Sequence, residues 1–502
     1  MNALNVCRFC CVAVAVALAA CVVGCPPARG PFQWAQTGGG FDADRATAVA
    51  ARLAGGAYLC GQFTGSAVFG AGQAGETTLA ANGGPYDTDI FIARYEADGT
   101  LDWAVSAGGS QDDSAADIVQ LADGSIVVTG YFNGSATFGA GESNETQLDA
   151  AGTFDQDAFV ARYTSGGALL WARSEGGSGE GDAGTALSAL PDGGFVVAGT
   201  FEGSAVFDSA TPRPTALNAG GTFDTDIFLA RYERNGSLVW VTGAGGPAPD
   251  IAPVVATTPG GDIVVTGTFE DYAVFGASTG PGVEIQACSS MDRDVFIARY
   301  RGNGTVAWVR NATGIDTDQG LGIAAFLDGS VVVTGSFTDR ITFAPGMANE
   351  LQLVAQNTFD SDAFLARYDR NGNLAWARQT RGIEAAEGIA VAAIPGGSCV
   401  LAGTFTTRIT LGAGEANETT LNSTFEHESN LFLARYSAAG RLEAAMRVPA
   451  IGGASDVSIT PAGGVLLAGW IAGDATLYDS TGAPLRVSSM GAEDAFVARV
   501  LF

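Results

Sequence analysis

The side chains best able to do chemistry in this sequence are carboxylates at a fixed spacing. Asp87/Asp89, Asp155/Asp157, Asp224/Asp226, Asp292/Asp294 and Asp360/Asp362 form five D-x-D pairs, and two further copies depart to Glu428/Asn430 and Ala492/Asp494. Alternate residues at the start of a strand point the same way. With a nearby Asp113, Asp182, Asp250 or Asp318 these pairs form a candidate oxygen-ligand set for Ca²⁺, a hard cation that takes six to eight oxygens. Asp side chains at the borders of loops also bind loop amides. The main expectation is therefore structural, each Asp locking one unit of the chain to the next, and no D-x-[DN]-x-[DN]-G calcium loop is present.

Catalysis needs residues in unequal roles, whereas these acids recur as near-equivalents. The residues that occur once are His427, the only histidine, Asp271-Tyr272 and Cys288. His427 reads as a solvated loop residue. There is no H-E-x-x-H, G-x-S-x-G or phosphate-binding Walker loop. Gly70 to Gly75 satisfies G-x-G-x-x-G, but it stands between two short strand-like pieces rather than at the start of a helix, which a dinucleotide site requires. The chain is read as a non-enzymatic binding or scaffold module. The competing reading is a hydrolase or lyase acting on polysaccharide through a carboxylate pair in a central funnel.

These acids sit in a chain of 502 residues with 53 Asp and Glu against 25 basic residues, all of them Arg, for a formal charge of -28. Such a surface repels phosphates and argues against nucleic-acid partners. A hydrophobic share of 47% with 16% charged residues builds a core rather than a disordered chain. The 71 glycines favour short strands and tight turns.

The elements that must position the acids are repeats. Trp34, Trp103, Trp171, Trp240, Trp308 and Trp376 recur every 68 or 69 residues, and Ala444 stands where a seventh is due. From Trp103 onward each closes a phrase D-x-F-x-A-R-Y-x-x-x-G-x-L-x-W, whose arginines are Arg94, Arg162, Arg231, Arg299, Arg367, Arg435 and Arg499. A second phrase, an apolar run followed by G-x-F, also recurs. Each unit reads as four strands, such as Ala115 to Leu121, Ser125 to Phe132, Ala158 to Tyr163 and Leu170 to Arg173. The middle two are apolar at successive positions and so are buried on both faces. This predicts an all-β fold, a seven-bladed β-propeller of four-stranded antiparallel blades over residues 32–502. Phe32 to Ala35 matches a fourth strand and Ala495 to Phe502 a third, so the N-terminal strand is expected to join the last blade and close the ring. Most of the acids, and a small extra hairpin at Ala67 to Phe69 and Thr77 to Ala80, then fall on the face carrying the long loops. The third-strand arginines are expected to pair with a repeated Asp or a main-chain carbonyl.

Residues 1–24 read as a signal peptide with a lipobox, followed by a short linker at 25–31. The lipidated residue is Cys25 or, alternatively, Cys21. This places the chain outside the cytoplasm, as an outer-membrane lipoprotein or a secreted protein, touching membrane through its lipid only. A monomer with an unknown protein or surface-polysaccharide partner is expected. Cys60, Cys288 and Cys399 remain, an odd number that is no disulfide framework.

The phrases Asp157-Ala158-Phe159-Val160-Ala161-Arg162-Tyr163 and Gly124-Ser125-Ile126-Val127-Val128-Thr129-Gly130, with Gly-x-Leu-x-Trp between copies, resemble the SBBP-type seven-bladed propeller repeats of secreted bacterial proteins. The resemblance covers residues 32–502. It implies the fold and an extracytoplasmic location and brings little function with it.

Overall fold

The computed structural model describes residues 30–151, 155–177, 179, 181–208, 215–220, 224–278, 280–289, 292–357, 359–423 and 427–502. The segment read as a signal peptide, with the two candidate lipidation residues Cys21 and Cys25, lies outside the described residues. Every regular element is a strand, and no helix occurs among the described residues.

The chain opens with β1 (Phe32–Gly39), β2 (Arg45–Ala51), β3 (Ala57–Thr64), β4 (Ser66–Phe69), β5 (Thr77–Ala80), β6 (Thr88–Tyr95) and β7 (Leu101–Gly109). β2, β3, β6 and β7 form an antiparallel sheet in that order. The β4–β5 hairpin does not join it. β4 pairs instead with the end of β1, and the next copy of the hairpin, starting at Ser135–Phe138, pairs with the end of β7. Sheets expected to have four strands therefore have six in most units. The cause is the length of the fourth strand. It runs over Leu169–Gly177 rather than stopping at Arg173, and Gly176 and Gly177 receive Val206 and Ala205 of the following hairpin. A Cβ on Gly177 would overlap the Ser204 carbonyl, so only glycine admits this approach. The outer edge of each such sheet is thereby covered.

The last strand, Asp494–Val500, pairs with Val465–Ala472 on one side and with β1 on the other, from Phe32 opposite Val500 to Gly38 opposite Ala495. The first strand of each unit carries a bulge, as between Ala46 and Ala48 or Ala115 and Asp117. Thr47, Asp117, Thr185, Val254, Gly322, Ala390 and Asp456, one from each first strand, line a single cavity of about 140 Å³.

Second and third strands are buried on both faces, as their continuous apolar runs require. In the first five units the third-strand Phe packs on the Phe of its own unit's hairpin, with ring centroids 4.7 Å apart for Phe69–Phe91 and 4.9 Å for Phe138–Phe159, and Leu411 and Leu477 stand in that hairpin position in the last two.

The recurrent spacing of Arg, Gly and Trp within the phrase has a direct structural meaning. Trp34 Nε1 and Arg499 Nη1 both donate to the Ala97 carbonyl, at 3.0 and 3.1 Å. Trp308 and Arg299 both reach Arg370 O at 3.1 Å, and Trp376 and Arg367 reach Ala438 O at 3.0 and 3.1 Å. Each shared carbonyl lies in the tight turn of the next unit. The glycine of that turn sits on the indole face at positive φ, as Gly372 does over Trp308 with φ of 79°. Four of the third-strand arginines also pair with an Asp in a turn, as Arg162 does with Asp123 at 2.6 Å and Arg299 with Asp262 at 2.9 Å.

Gly372→Ala places a Cβ 2.8 Å from Trp308 Cδ2 on a left-handed backbone, and is expected to cost about 1–3 kcal/mol. Trp308→Phe keeps a ring but loses the donor, at about 1 kcal/mol. Urea unfolding midpoints check both.

Candidate functional site: buried carboxylates and an acidic loop face

The two acids of each D-x-D pair take different places in the structure. Asp87 lies in the loop before β6, half-exposed, and accepts from Gly83 N at 2.8 Å. Asp89, inside the strand, is 0% exposed and its Oδ2 accepts from Asn82 N and Nδ2 at 3.1 and 2.9 Å. Strand alternation does not apply across a residue that is not in the strand, so the two carboxyls bind different amides, although Asp87 lies near enough to raise Asp89. Asp89 instead faces Asp113, which precedes β8 (Ser114–Gln120) of the next unit and is also 0% exposed. Asp113 Oδ1 accepts from Asn133 N at 3.0 Å and Oδ2 from Gly109 N at 2.7 Å.

This cross-unit pairing repeats as Asp157/Asp182, Asp226/Asp250 and Asp294/Asp318, and as Asp494/Asp44, of which Asp44 escaped the sequence reading. Burial pushes the carboxyls up, Asp44, Asp89, Asp182 and Asp226 to about 7, Asp113 to about 8, and Asp250 and Asp318 to about 9. Asp155 and Asp224 are buried beside their pairs, while Asp292 and Asp360 are partly exposed. The pattern lapses twice. Asp362 accepts from Gly382 N and Gln356 N and faces Ala386, and Asn430 stands in place of an acid in the unit after it. Among the described residues no three His, Cys, Asp or Glu side chains are gathered as a ready-made metal centre.

Two acids missed in the sequence point into the central cavity. Asp117 and Asp456 occupy the position after the first-strand bulge, where the other units carry Ala48, Ala186, Val254, Gly322 and Ala390. Aligning the first strands across units would have singled them out. Asp117 accepts from Leu187 N at 2.6 Å and Ile118 N at 2.7 Å, and Asp456 from Val49 N at 2.9 Å and Val457 N at 2.7 Å. Each carboxylate thus ties its strand to the next unit's first strand, with both oxygens spent on amides. Burial raises them to about 8 and about 7.

The loop face is less acidic in solvent than the sequence suggests, because the second acid of each pair turns inward. What it does expose is aromatic and acidic side by side. Phe41 precedes the exposed Asp42, Tyr86 (86% exposed) precedes Asp87, and Phe359 (95% exposed) precedes Asp360. His427, also exposed, lies 2.8 Å from Glu384 through Nδ1. The G-x-G-x-x-G segment is a hairpin turn, whose Gly72 N is taken by Glu76 at 2.7 Å. Cys60 and Cys399 are buried, Cys288 is exposed, and all three are free.

No known family profile matches the chain. It is 24% identical over 360 residues to an uncharacterized WD repeat-containing protein of Acanthamoeba polyphaga mimivirus; this covers 63% of the chain but only 26% of that relative. Among solved structures it is similar to the Neurospora crassa Pan2 WD40 domain (9% identity, 91% of this chain and 89% of that one, TM-score 0.41). A protein of unknown function from Dyadobacter fermentans matches at 11% identity over 78% and 95% of the two chains, TM-score 0.39. With its repeated antiparallel sheets and its WD-repeat relative, the chain is a β-propeller repeat protein.

The raised carboxyls set a pH dependence. A group whose pKa is higher folded than unfolded stabilises the fold when protonated, and that contribution is lost as pH rises from about 4 through the folded value. In chelator, the melting temperature is expected to fall between pH 5 and pH 8. Asp117→Ala with Asp456→Ala flattens part of that fall, and at pH 5 costs about 1–3 kcal/mol per site as the Leu187 and Val49 amides lose their acceptors.

Proposed function

We propose that this chain is a seven-bladed, ring-closed β-propeller of the SBBP type, anchored by lipid outside the cytoplasm, that binds a cationic partner on its long-loop face without catalysis. The pairing of β1 with Asp494–Val500, and the one cavity shared by seven first strands, support the ring. The lipobox at Cys25, or at Cys21, supports the anchor. A single observation carries the binding reading: aromatic rings stand exposed directly before the loop acids, at Tyr86 and at the equivalent Phe359. Exposed aromatics gain by being covered, and a carboxylate beside a ring favours an Arg- or Lys-rich surface through charge and cation–π contact. No observation favours the polysaccharide hydrolase, since the two cavity carboxylates are occupied by amides.

A fluorescent Arg/Lys-rich peptide is expected to bind the chain in 50 mM NaCl and more weakly in 300 mM, while a matched acidic peptide does not. Tyr86→Ala with Phe359→Ala is expected to weaken binding about tenfold, a loss typical of a truncated aromatic anchor. Binding that ignores both substitutions would reject the face. Separately, mass spectrometry of the chain from membranes is expected to find diacylglyceryl on Cys25 or Cys21, and an unmodified secreted product would reject the anchor.

A further inference from the structure

Five times in this chain two buried carboxyl groups meet with a single backbone N–H between them. At the first junction a Cβ on Gly108 would overlap Asp89 Oδ1 and stand 2.9 Å from Asp113 Oδ2, so both oxygens converge on the same glycine. The adjacent Gly109 N–H goes to Asp113, and Asp89 Oδ1 is left without a hydrogen-bond partner. The arrangement recurs with Gly177 N on Asp182, Gly246 N on Asp250 and Gly40 N on Asp44, each leaving the facing Oδ1 of Asp157, Asp226 or Asp494 unpartnered. In the fifth copy Gly314 N goes to Asp294 and the unpartnered oxygen is Asp318 Oδ2. Where Ala386 replaces the second acid, Asp362 takes the glycine amide and no oxygen is left over.

A buried carboxyl oxygen without a donor is destabilising, and five copies of one arrangement point to a missing positive charge rather than to a local accident. A third carboxylate adds to each of the four internal junctions: Asp87, Asp155, Asp224 or Asp292 raises the acid facing the pair. With this third acid nearby, these four junctions carry more negative charge than a single proton neutralises. We propose that these five junctions between consecutive units each hold a hard divalent cation of the Ca²⁺ class, bridging Asp89 to Asp113 and the four equivalent pairs. The ligands are the unpartnered oxygen and the oxygen facing it. In the first junction the half-exposed Asp87 carboxyl joins them by turning from the Gly83 amide, and water fills the remaining positions. The irregular geometry suits Ca²⁺ better than Mg²⁺, which demands a near-ideal octahedron.

The test uses the whole chain, stripped with EGTA and dialysed into 0.15 M NaCl so that exposed acids are screened. Calcium titrated calorimetrically is expected to bind at five per chain and to raise the melting temperature, and EGTA to reverse the rise. Asp113→Ala copies the natural Asp362/Ala386 junction and is expected to bind four. Absence of binding, with a melt unaltered by calcium and by EGTA, overturns the proposal and leaves protons shared within the pairs. Unchanged stoichiometry in folded Asp113→Ala also overturns it, by assigning the calcium to surface acids. Should that variant fail to fold, the stoichiometry and the EGTA-sensitive melt of the unsubstituted chain decide.

Discussion

A single main-chain oxygen, shared between an indole N–H and a guanidinium N–H, is the contact on which the rest of this architecture depends. At five junctions the Trp of a fourth strand and the Arg of its third strand both donate to a turn carbonyl that belongs to the next unit, whereas Trp171 Nε1 is unpartnered and Ala444 leaves Arg435 alone at the sixth. That contact fixes the distance and tilt between consecutive sheets at the tight-turn end. At the opposite end the buried acids bind amides of the loops between units, so most sheets are held at both ends by groups from a neighbour. Apolar burial fills the space between these ties but does not set the angle. The final copy keeps the rule although it is assembled from both ends of the sequence, since Trp34 and Arg499 meet at Ala97 O.

Strand order and burial were legible in the sequence because they follow from local patterns. Runs such as Ile126-Val127-Val128 have no polar face and must lie between two layers, and Asp123-Gly124 makes the turn that precedes them. The partner of each hairpin was not legible. Ser66–Phe69 contains nothing that distinguishes its own sheet from the previous one, and the deciding feature is a glycine pair on a different strand. The carboxylates failed for a related reason. Asp87 and Asp89 are neighbours in sequence, whereas Asp89 and Asp113 are neighbours in space, and the first relation is the only one that a motif records.

Repetition also hid the two cavity acids. Asp117 and Asp456 look unremarkable within their own strands and become visible only against the Ala, Val or Gly that other units place there. Their pairing with amides across units shows how a carboxylate at a striking position can serve assembly alone. The loop face divides its acids in the same way, some turned inward as fasteners and others left beside exposed rings.

The displaced hairpin has a consequence for how such a chain can change length. Because a unit lends its hairpin to the sheet before it and relies on the unit after it for cover, no cut separates a self-sufficient module. Duplication or loss is tolerable only in whole periods of about 68 residues, whatever the starting point, since any fraction strands one borrowed edge and one unclaimed hairpin. Inheritance in this fold therefore acts on the period of the repeat, and where one copy begins has no physical meaning.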